Sequence, residues 1–127
     1  AAGPAGNAVF TSAKDIDTKL TDTDKQKAWV IGVDMDQKSQ GAYKTKDDKA
    51  SNLTLASAVK KIPSSVVKLA NQAMKGDFPG GKTGTFGLNN GGGGLTTDNL
   101  DSKEKQAVQK AQDAVKAGDV TVPSKMK

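Results

Sequence analysis

Apolar residues recur at helical spacing near the start of the chain. Val9, Ala13, Ile16 and Leu20 follow one another at intervals of four, three and four residues. This stripe predicts an amphipathic helix from about residue 7 to residue 20. Asn7 is of the residue type favoured at the N-cap, and residues 1–7, with two glycines and a proline, are predicted to form a loop.

Two further helices are predicted from apolar spacing and from the residues at their ends. One begins at Pro63 and ends at Gly76, because proline favours the first helical position and glycine the C-terminal stop. Its predicted buried face is Val66, Leu69, Ala70, Ala73 and Met74. The other begins after Asp101 or Ser102 and ends at Gly118, with an inward face of Ala107, Val108, Ala111, Ala114 and Val115.

A short apolar run lies between the first two helices. Val30, Ile31 and Val33 are interrupted only by Gly32, which predicts a strand buried on both faces. Other short strands are predicted at residues 53–55 and 83–88, and residues 120–123 are either a last strand or an extended tail. Residues 35–52 and 91–94 are predicted to be loops. Helices that alternate with short strands indicate an α/β fold.

Composition excludes several kinds of function. All nineteen positively charged residues are lysine, and the absence of arginine argues against sequence-specific binding to nucleic acid. The chain has no cysteine and no histidine, so it lacks thiolate metal ligands and the usual general base. We therefore expect no enzymatic activity, no cofactor and no metal site.

One segment matches a nucleotide-binding pattern. Gly76, Gly81, Lys82 and Thr83 fit G-x-x-x-x-G-K-[ST], the loop that binds phosphate groups. Such a loop follows a strand and opens a helix, whereas this segment follows a predicted helix. A nucleotide-hydrolysing domain therefore stays an alternative, and a helix beginning at Lys82 would favour it.

Two carboxylates follow the apolar strand. In open α/β sheets, ligands bind just beyond the carboxyl ends of the strands, so Asp34 and Asp36 are placed either to hold a ligand or to cap the next turn. The positions after them lack the glycine and glutamate of a calcium loop, which excludes that site. Lys60 is either a surface lysine or a donor to ligand hydroxyls. Gly3 and Gly6 are either turn glycines or places where backbone can approach a ligand.

Five sequence elements together resemble one known family. They are Gly-Pro-Ala-Gly-Asn-Ala-Val-Phe, Val-Ile-Gly-Val-Asp-Met-Asp-Gln, Leu-Ala-Ser-Ala-Val-Lys, Gly-Thr-Phe-Gly-Leu-Asn-Asn-Gly-Gly-Gly-Gly-Leu and Val-Thr-Val-Pro. Their order over nearly the whole chain resembles the basic membrane protein family of bacterial lipoproteins, which are nucleoside receptors of ABC transporters.

The resemblance implies the C-terminal portion of a type I periplasmic binding protein fold. That fold has two lobes, each a three-layer α/β/α sandwich, with the ligand between them. It implies that residues 1–52 belong to the second lobe, that residues 53–97 cross over to complete the first lobe, and that residues 98–127 return to the second lobe.

The resemblance also implies a site and partners. The ribose-binding aspartate falls on Asp34, the ribose-contacting lysine on Lys60, and the glycine whose backbone meets the sugar on Gly3 or Gly6. The implied ligand is a nucleoside, specifically a purine nucleoside. The implied partners are an ABC permease and the missing N-terminal portion of the same protein.

The implied location is extracytoplasmic, with a lipid anchor outside this chain. The remaining alternative to a receptor is a surface interaction module without a small ligand, which a ligand screen would distinguish.

Overall fold

The computed structural model describes residues 4–23 and 28–123, except for the side chains of residues 4 and 5. Its elements are a mixture of helices and short strands, as the sequence predicts. In chain order they are α1 (Pro4–Asp17), β1 (Val30–Asp34), the 3₁₀ helix η1 (Lys38–Gly41), β2 (Ala42–Lys44), β3 (Ala50–Asn52), β4 (Thr54–Lys60), α2 (Ile62–Met74), the 3₁₀ helix η2 (Leu88–Asn90), β5 (Gly93–Thr96) and α3 (Ser102–Ala117).

The strands form two small sheets. One has the order β1-β4-β5, and β1 pairs with β4 in parallel. The other is the antiparallel pair β2 and β3. The chain divides into two compact units, the first made of Ala1–Lys60 and Leu95–Leu100 and the second of Lys61–Gly94 and Asp101–Lys127.

The core of the first unit lies between α1 and the sheet. Phe10 and Ala13 of α1 pack with Val30 of β1 and with Leu53, which is fully buried. The same helix face also buries the carboxylate of Asp17, whose Oδ1 atom accepts a hydrogen bond from the backbone N–H of Ala28 at 2.8 Å. Helix α1 is thereby attached both to the strand and to the segment that enters it.

The first helix differs from its prediction in position and in its buried face. It begins at Pro4, which favours the start of a helix, so Asn7 lies within the helix and is not its N-cap. The predicted stripe included Val9 and Ile16, which are both exposed. The face that packs on the sheet includes Phe10 and Ala13, and it also buries a polar residue, Asp17, which the predicted stripe did not include.

Strand β1 forms where it was predicted, but it is buried on one face only. Val30 and Gly32 are buried, whereas Ile31 is 59% exposed and Val33 37% exposed. The prediction of burial on both faces is therefore wrong for this chain. The described residues supply a packing layer to one face of the strand, through α1, and they leave the other face in solvent.

Residues 35–52 are not the loop that was predicted. They contain η1 and the hairpin β2–β3, whose turn is closed by Thr45. Thr45 N–H donates to Lys49 O at 2.9 Å, and Lys46 N–H donates to Leu20 O at 2.8 Å. The hairpin therefore packs on the segment that follows α1. The predicted short strand at residues 53–55 is longer in the structure and ends at Lys60.

In the second unit, α2 forms close to its predicted ends. It begins at Ile62 with Pro63 in its first turn, and Gly76 follows it with a φ of 79°. None of its residues is buried, and Val66 and Met74 of the predicted buried face are among the exposed apolar residues. The predicted burial of that face is therefore wrong within the described part of the chain.

The glycine-rich segment also differs from its prediction. Residues 83–88 form no strand, whereas Gly93 and Gly94, expected in a loop, belong to β5. The predicted first and last residues of helix α3 are confirmed. Asp101 accepts a hydrogen bond from Glu104 N–H in a capping box, and Gly118 ends the helix with a φ of 86°. Residues 121–123 form no strand.

The predicted inward face of α3 is partly wrong. Val108, Ala114 and Val115 are partly covered, but Ala107 and Ala111 are exposed. Among the described residues, no helix is long and apolar enough to cross a membrane.

Candidate functional site

Asp34 ends β1 in an unusual backbone conformation. Its φ is 75°, in the left-handed region that residues with a side chain seldom adopt, although aspartate does so more readily than most. The chain therefore turns sharply at this residue and leaves the sheet. The turn places a carboxylate at the carboxyl edge of the sheet, which is the edge where α/β proteins bind ligands.

Lys60 ends the neighbouring strand at the same edge. Strands β1 and β4 are parallel, and Asp34 is in register with Val59, one residue before Lys60. Lys60 Nζ lies 2.7 Å from Asp34 Oδ1. Sequence separates these two residues by a hairpin and a strand, and the parallel pairing brings them together.

The ion pair is close but partly open to solvent. The side chain of Asp34 is 37% exposed and that of Lys60 is 67% exposed. The Oδ1 atom itself is buried and receives no aligned hydrogen bond among the described groups, so the interaction is a charge contact. Ion pairs this exposed contribute little to stability, typically about 0–1 kcal/mol. A ligand could therefore replace the lysine at small cost.

The second acid of the motif has a different role. Asp36 Oδ1 accepts a hydrogen bond from Lys38 N–H at 3.0 Å, at the start of η1. Ser57 Oγ lies 3.5 Å from the same oxygen. Of the two possibilities that the sequence left open, capping the next turn therefore applies to Asp36, and Asp34 is the carboxylate at the sheet edge.

The two candidate glycines are not equally defined. Gly6 lies in the first turn of α1 and is buried, and the N–H groups of a first turn have no acceptor within the helix. Its neighbour Asn7 reaches the region of Asp34, since Asn7 Oδ1 lies 3.5 Å from Gln37 Nε2. Gly3 lies outside the described residues.

Sequence reasoning missed the groups that support this edge. Gln37 Oε1 accepts a hydrogen bond from Val33 N–H at 2.8 Å, and Gln37 N–H donates to Ser57 Oγ at 3.1 Å. Gln37 closes the Gly-Val-Asp-Met-Asp-Gln element, so the motif contained it, but the pattern of apolar and acidic positions gave it no role.

The nucleotide-binding alternative is not supported by the structure. The segment that includes Lys82 and Thr83 follows α2, and residues 82–86 form neither a helix nor a strand. The helix whose N-terminus would bind phosphate is missing from this place. Among the described residues there is also no cluster of acidic residues that could hold a metal ion.

An acid and a lysine thus lie at the edge of the sheet where open α/β proteins bind ligands. The sequence comparisons indicate the class of protein. The family model Bmp, described as ABC transporter substrate-binding protein PnrA-like, matches residues 1–124. This chain belongs to that family.

Three relatives have similar sequences. The ABC transporter nucleoside-binding protein BmpA of Lactococcus lactis subsp. cremoris (strain MG1363) is 44% identical over 124 residues, or 98% of this chain. CD4+ T-cell-stimulating antigens of Listeria monocytogenes serovar 1/2a (strain ATCC BAA-679 / EGD-e) and Listeria innocua serovar 6a (strain ATCC BAA-680 / CLIP 11262) are 39% and 38% identical over 128 residues, again 98% of this chain. The chain spans 35% of the length of each relative.

Proposed function

We propose that this chain is the C-terminal portion of the solute-binding component of an ABC transporter, and that the complete protein binds a purine nucleoside. The observation that carries the proposal is the pair of Asp34 and Lys60 at the ends of two adjacent parallel strands. Membership of the family and the name of the Lactococcus relative support the choice of a nucleoside.

The chemistry of the pair suits a sugar with neighbouring hydroxyl groups. An ionised carboxylate accepts hydrogen bonds only, so Asp34 would accept one from each of two adjacent ribose hydroxyls. Lys60 would turn from Asp34 to donate to a sugar oxygen, and the backbone of Gly6 or Gly3 would approach the ring. Both charged side chains are partly exposed, which keeps the cost of this exchange small.

The proposal extends to the rest of the protein. Residues 1–52 and 98–127 would belong to a second lobe and residues 53–97 to a first lobe, in a type I periplasmic binding protein fold. The N-terminal portion would supply the rest of the first lobe and the groups that contact the base. The lobes would close around the ligand and present it to an ABC permease. The protein would be extracytoplasmic and held by a lipid anchor outside this chain, and it would do no covalent chemistry.

The test is the affinity of the complete protein for purine nucleosides. Calorimetry with adenosine, guanosine and inosine would give the wild-type affinity, and Asp34→Ala should weaken binding by about 2–5 kcal/mol because the two sugar hydroxyls lose the charged acceptor that is buried with them in the complex. Asp48→Ala is a matched control, since Asp48 also has a positive φ of 60° and also pairs with a lysine at 2.7 Å.

We expect the control to bind as the wild type does. Equal affinity in Asp34→Ala and the wild type would refute the assignment of Asp34. If the wild-type protein bound none of the three nucleosides, an interaction module without a small ligand would be the better interpretation.

A further inference from the structure

Gln37 makes more polar contacts than the exposed turn around it requires. Its side-chain oxygen accepts from Val33 N–H at 2.8 Å, and its side-chain nitrogen donates to Gln40 Oε1 at 2.9 Å. Its backbone N–H donates to Ser57 Oγ at 3.1 Å. A single side chain and its backbone thus join β1, β4 and η1, and Asn7 of α1 lies within 3.5 Å.

The bond to Val33 encloses Asp34. Val33 precedes Asp34, and Gln37 follows Asp34 by three residues. The hydrogen bond between Val33 and Gln37 therefore closes a tight loop that contains Asp34, the residue with the left-handed conformation. The left-handed conformation is disfavoured for any residue with a Cβ atom, and it persists where the surroundings hold it. Gln37 supplies such a constraint from inside the turn.

The sheet leaves space for this glutamine. A Cβ atom on Gly32 would lie 2.6 Å from Ser57 Oγ and 2.9 Å from the Cβ of Gln37. Gly32 is in register with Ser57 on the neighbouring strand. Because Gly32 has no side chain, the two strands leave a shallow depression in which Gln37 packs. The position of Gln37 is therefore defined by packing as well as by hydrogen bonds.

The amide suits this position better than a carboxylate would. The oxygen must accept from Val33 N–H while the nitrogen donates to Gln40 Oε1, and a glutamate could do only the first. A glutamate would also add a third negative charge to a segment that already holds Asp34 and Asp36.

We infer that Gln37 is a positioning residue, which holds Asp34 in the conformation that presents its carboxylate to two neighbouring sugar hydroxyls. The inference rests on the proposed function, because it assigns Gln37 to the same site. It adds that Gln37 controls how well the protein distinguishes a ribonucleoside from its 2′,3′-dideoxy analogue, although Gln37 itself touches neither.

The experiment compares two ligands on the complete protein. Gln37→Met keeps the length of the side chain and removes its hydrogen bonds. We expect its affinity for whichever of adenosine, guanosine or inosine binds best to fall about tenfold, the equivalent of one hydrogen bond made to a charged group. Its affinity for the 2′,3′-dideoxy form of that nucleoside should change less than about twofold, since that ligand offers Asp34 no hydroxyls.

Three further variants complete the design. Gln109→Met, on the exposed face of α3, loses a side-chain hydrogen bond to Asp113 and should leave both affinities unchanged. In a protein that already carries Asp34→Asn, adding Gln37→Met should not change the affinity for either ligand any further. If Gln37→Met does not fold, Ser57→Ala removes the acceptor of the Gln37 backbone N–H and should change the ratio of affinities in the same direction.

The outcomes separate the two proposals. An equal loss of affinity for both ligands would mean that Gln37 only stabilises the fold. If neither affinity changed, the inference would likewise be overturned. If Asp34→Asn itself did not alter the preference for the ribonucleoside, the proposed role of Asp34 would fail first, and the role of Gln37 would fail with it.

Discussion

The conformation of one residue separates two carboxylates that the sequence presents as equivalent. Asp34 and Asp36 lie two positions apart after the same strand, and hydrophobic and polar patterning alone does not tell them apart. The φ of 75° at Asp34 turns the chain, so that Asp36 binds the backbone of η1 and Asp34 stays beside Lys60. The backbone conformation therefore gives the two carboxylates different surroundings.

Gly32 has no room for a side chain. We predict that Gly32→Ala lowers the free energy of unfolding by about 1–3 kcal/mol, because the added methyl group meets Ser57 Oγ and the Cβ of Gln37. Urea unfolding followed by circular dichroism would measure the change. Gly87→Ala is the control, since nothing lies within 4 Å of a Cβ at that position, and it should change stability by less than about 0.5 kcal/mol. Equal effects of the two substitutions would contradict the steric argument.

At the scale of elements, the predictions succeeded where local chemistry determines the structure. The capping box at Asp101 and the glycine at position 118 define α3 without help from distant residues. The hairpin β2–β3 was missed because it has no alternation of apolar residues. Its turn depends on hydrogen bonds of Thr45, Asp47 and Lys49, and on the contact between Lys46 and Leu20, which lies far from it in sequence.

The hairpin turn should respond to acid. Thr45 Oγ1 donates to Asp47 Oδ1 at 2.7 Å, and this bond, together with one from Asp22 N–H, lowers the pKa of Asp47 from its ordinary value of 3.8. Because the folded-state pKa is the lower one, the carboxylate stabilises the fold above pH 3.8, and this contribution is lost as the pH falls through the lowered value.

Titration of Asp47 by NMR would check this prediction. We expect Thr45→Val to raise the pKa of Asp47 toward its ordinary value, because the largest cause of the shift is removed. Thr11→Val removes a hydroxyl from an exposed position of α1 and serves as the control. If the titration of Asp47 were the same in the wild type and in Thr45→Val, the hydrogen bond would not be the cause.

For the whole molecule, burial is the property that the sequence predicted least well. Pro63 and Gly76 predicted the ends of α2, and its apolar spacing predicted a buried face. In the structure, Val66 of that face is 58% exposed and Met74 is 86% exposed. A pattern shows that a face is apolar, but which surface covers the face depends on residues far away in sequence. The chain spans 35% of the length of its relatives, and in the described residues this face has no covering layer.

The difference in burial predicts a difference in local stability. In this 127-residue chain, backbone amides of β1 and β4 should exchange with solvent most slowly, because Val30, Ala56 and Ser57 are buried there. Amides of α2 should exchange much faster, since none of its residues is buried. Hydrogen exchange read by mass spectrometry would measure both. Equal protection of α2 and β4 would contradict the prediction.

The pairing of Asp34 with Lys60 has a consequence for selectivity. Each side chain balances the charge of the other, so the pair has a local dipole and no net charge. A free ion can pair with only one of these two side chains, and it must compete with the other side chain for that contact. Under the proposed function, a neutral molecule with several hydroxyl groups would suit this pair, because its hydroxyls can donate to the carboxylate and accept from the ammonium at the same time.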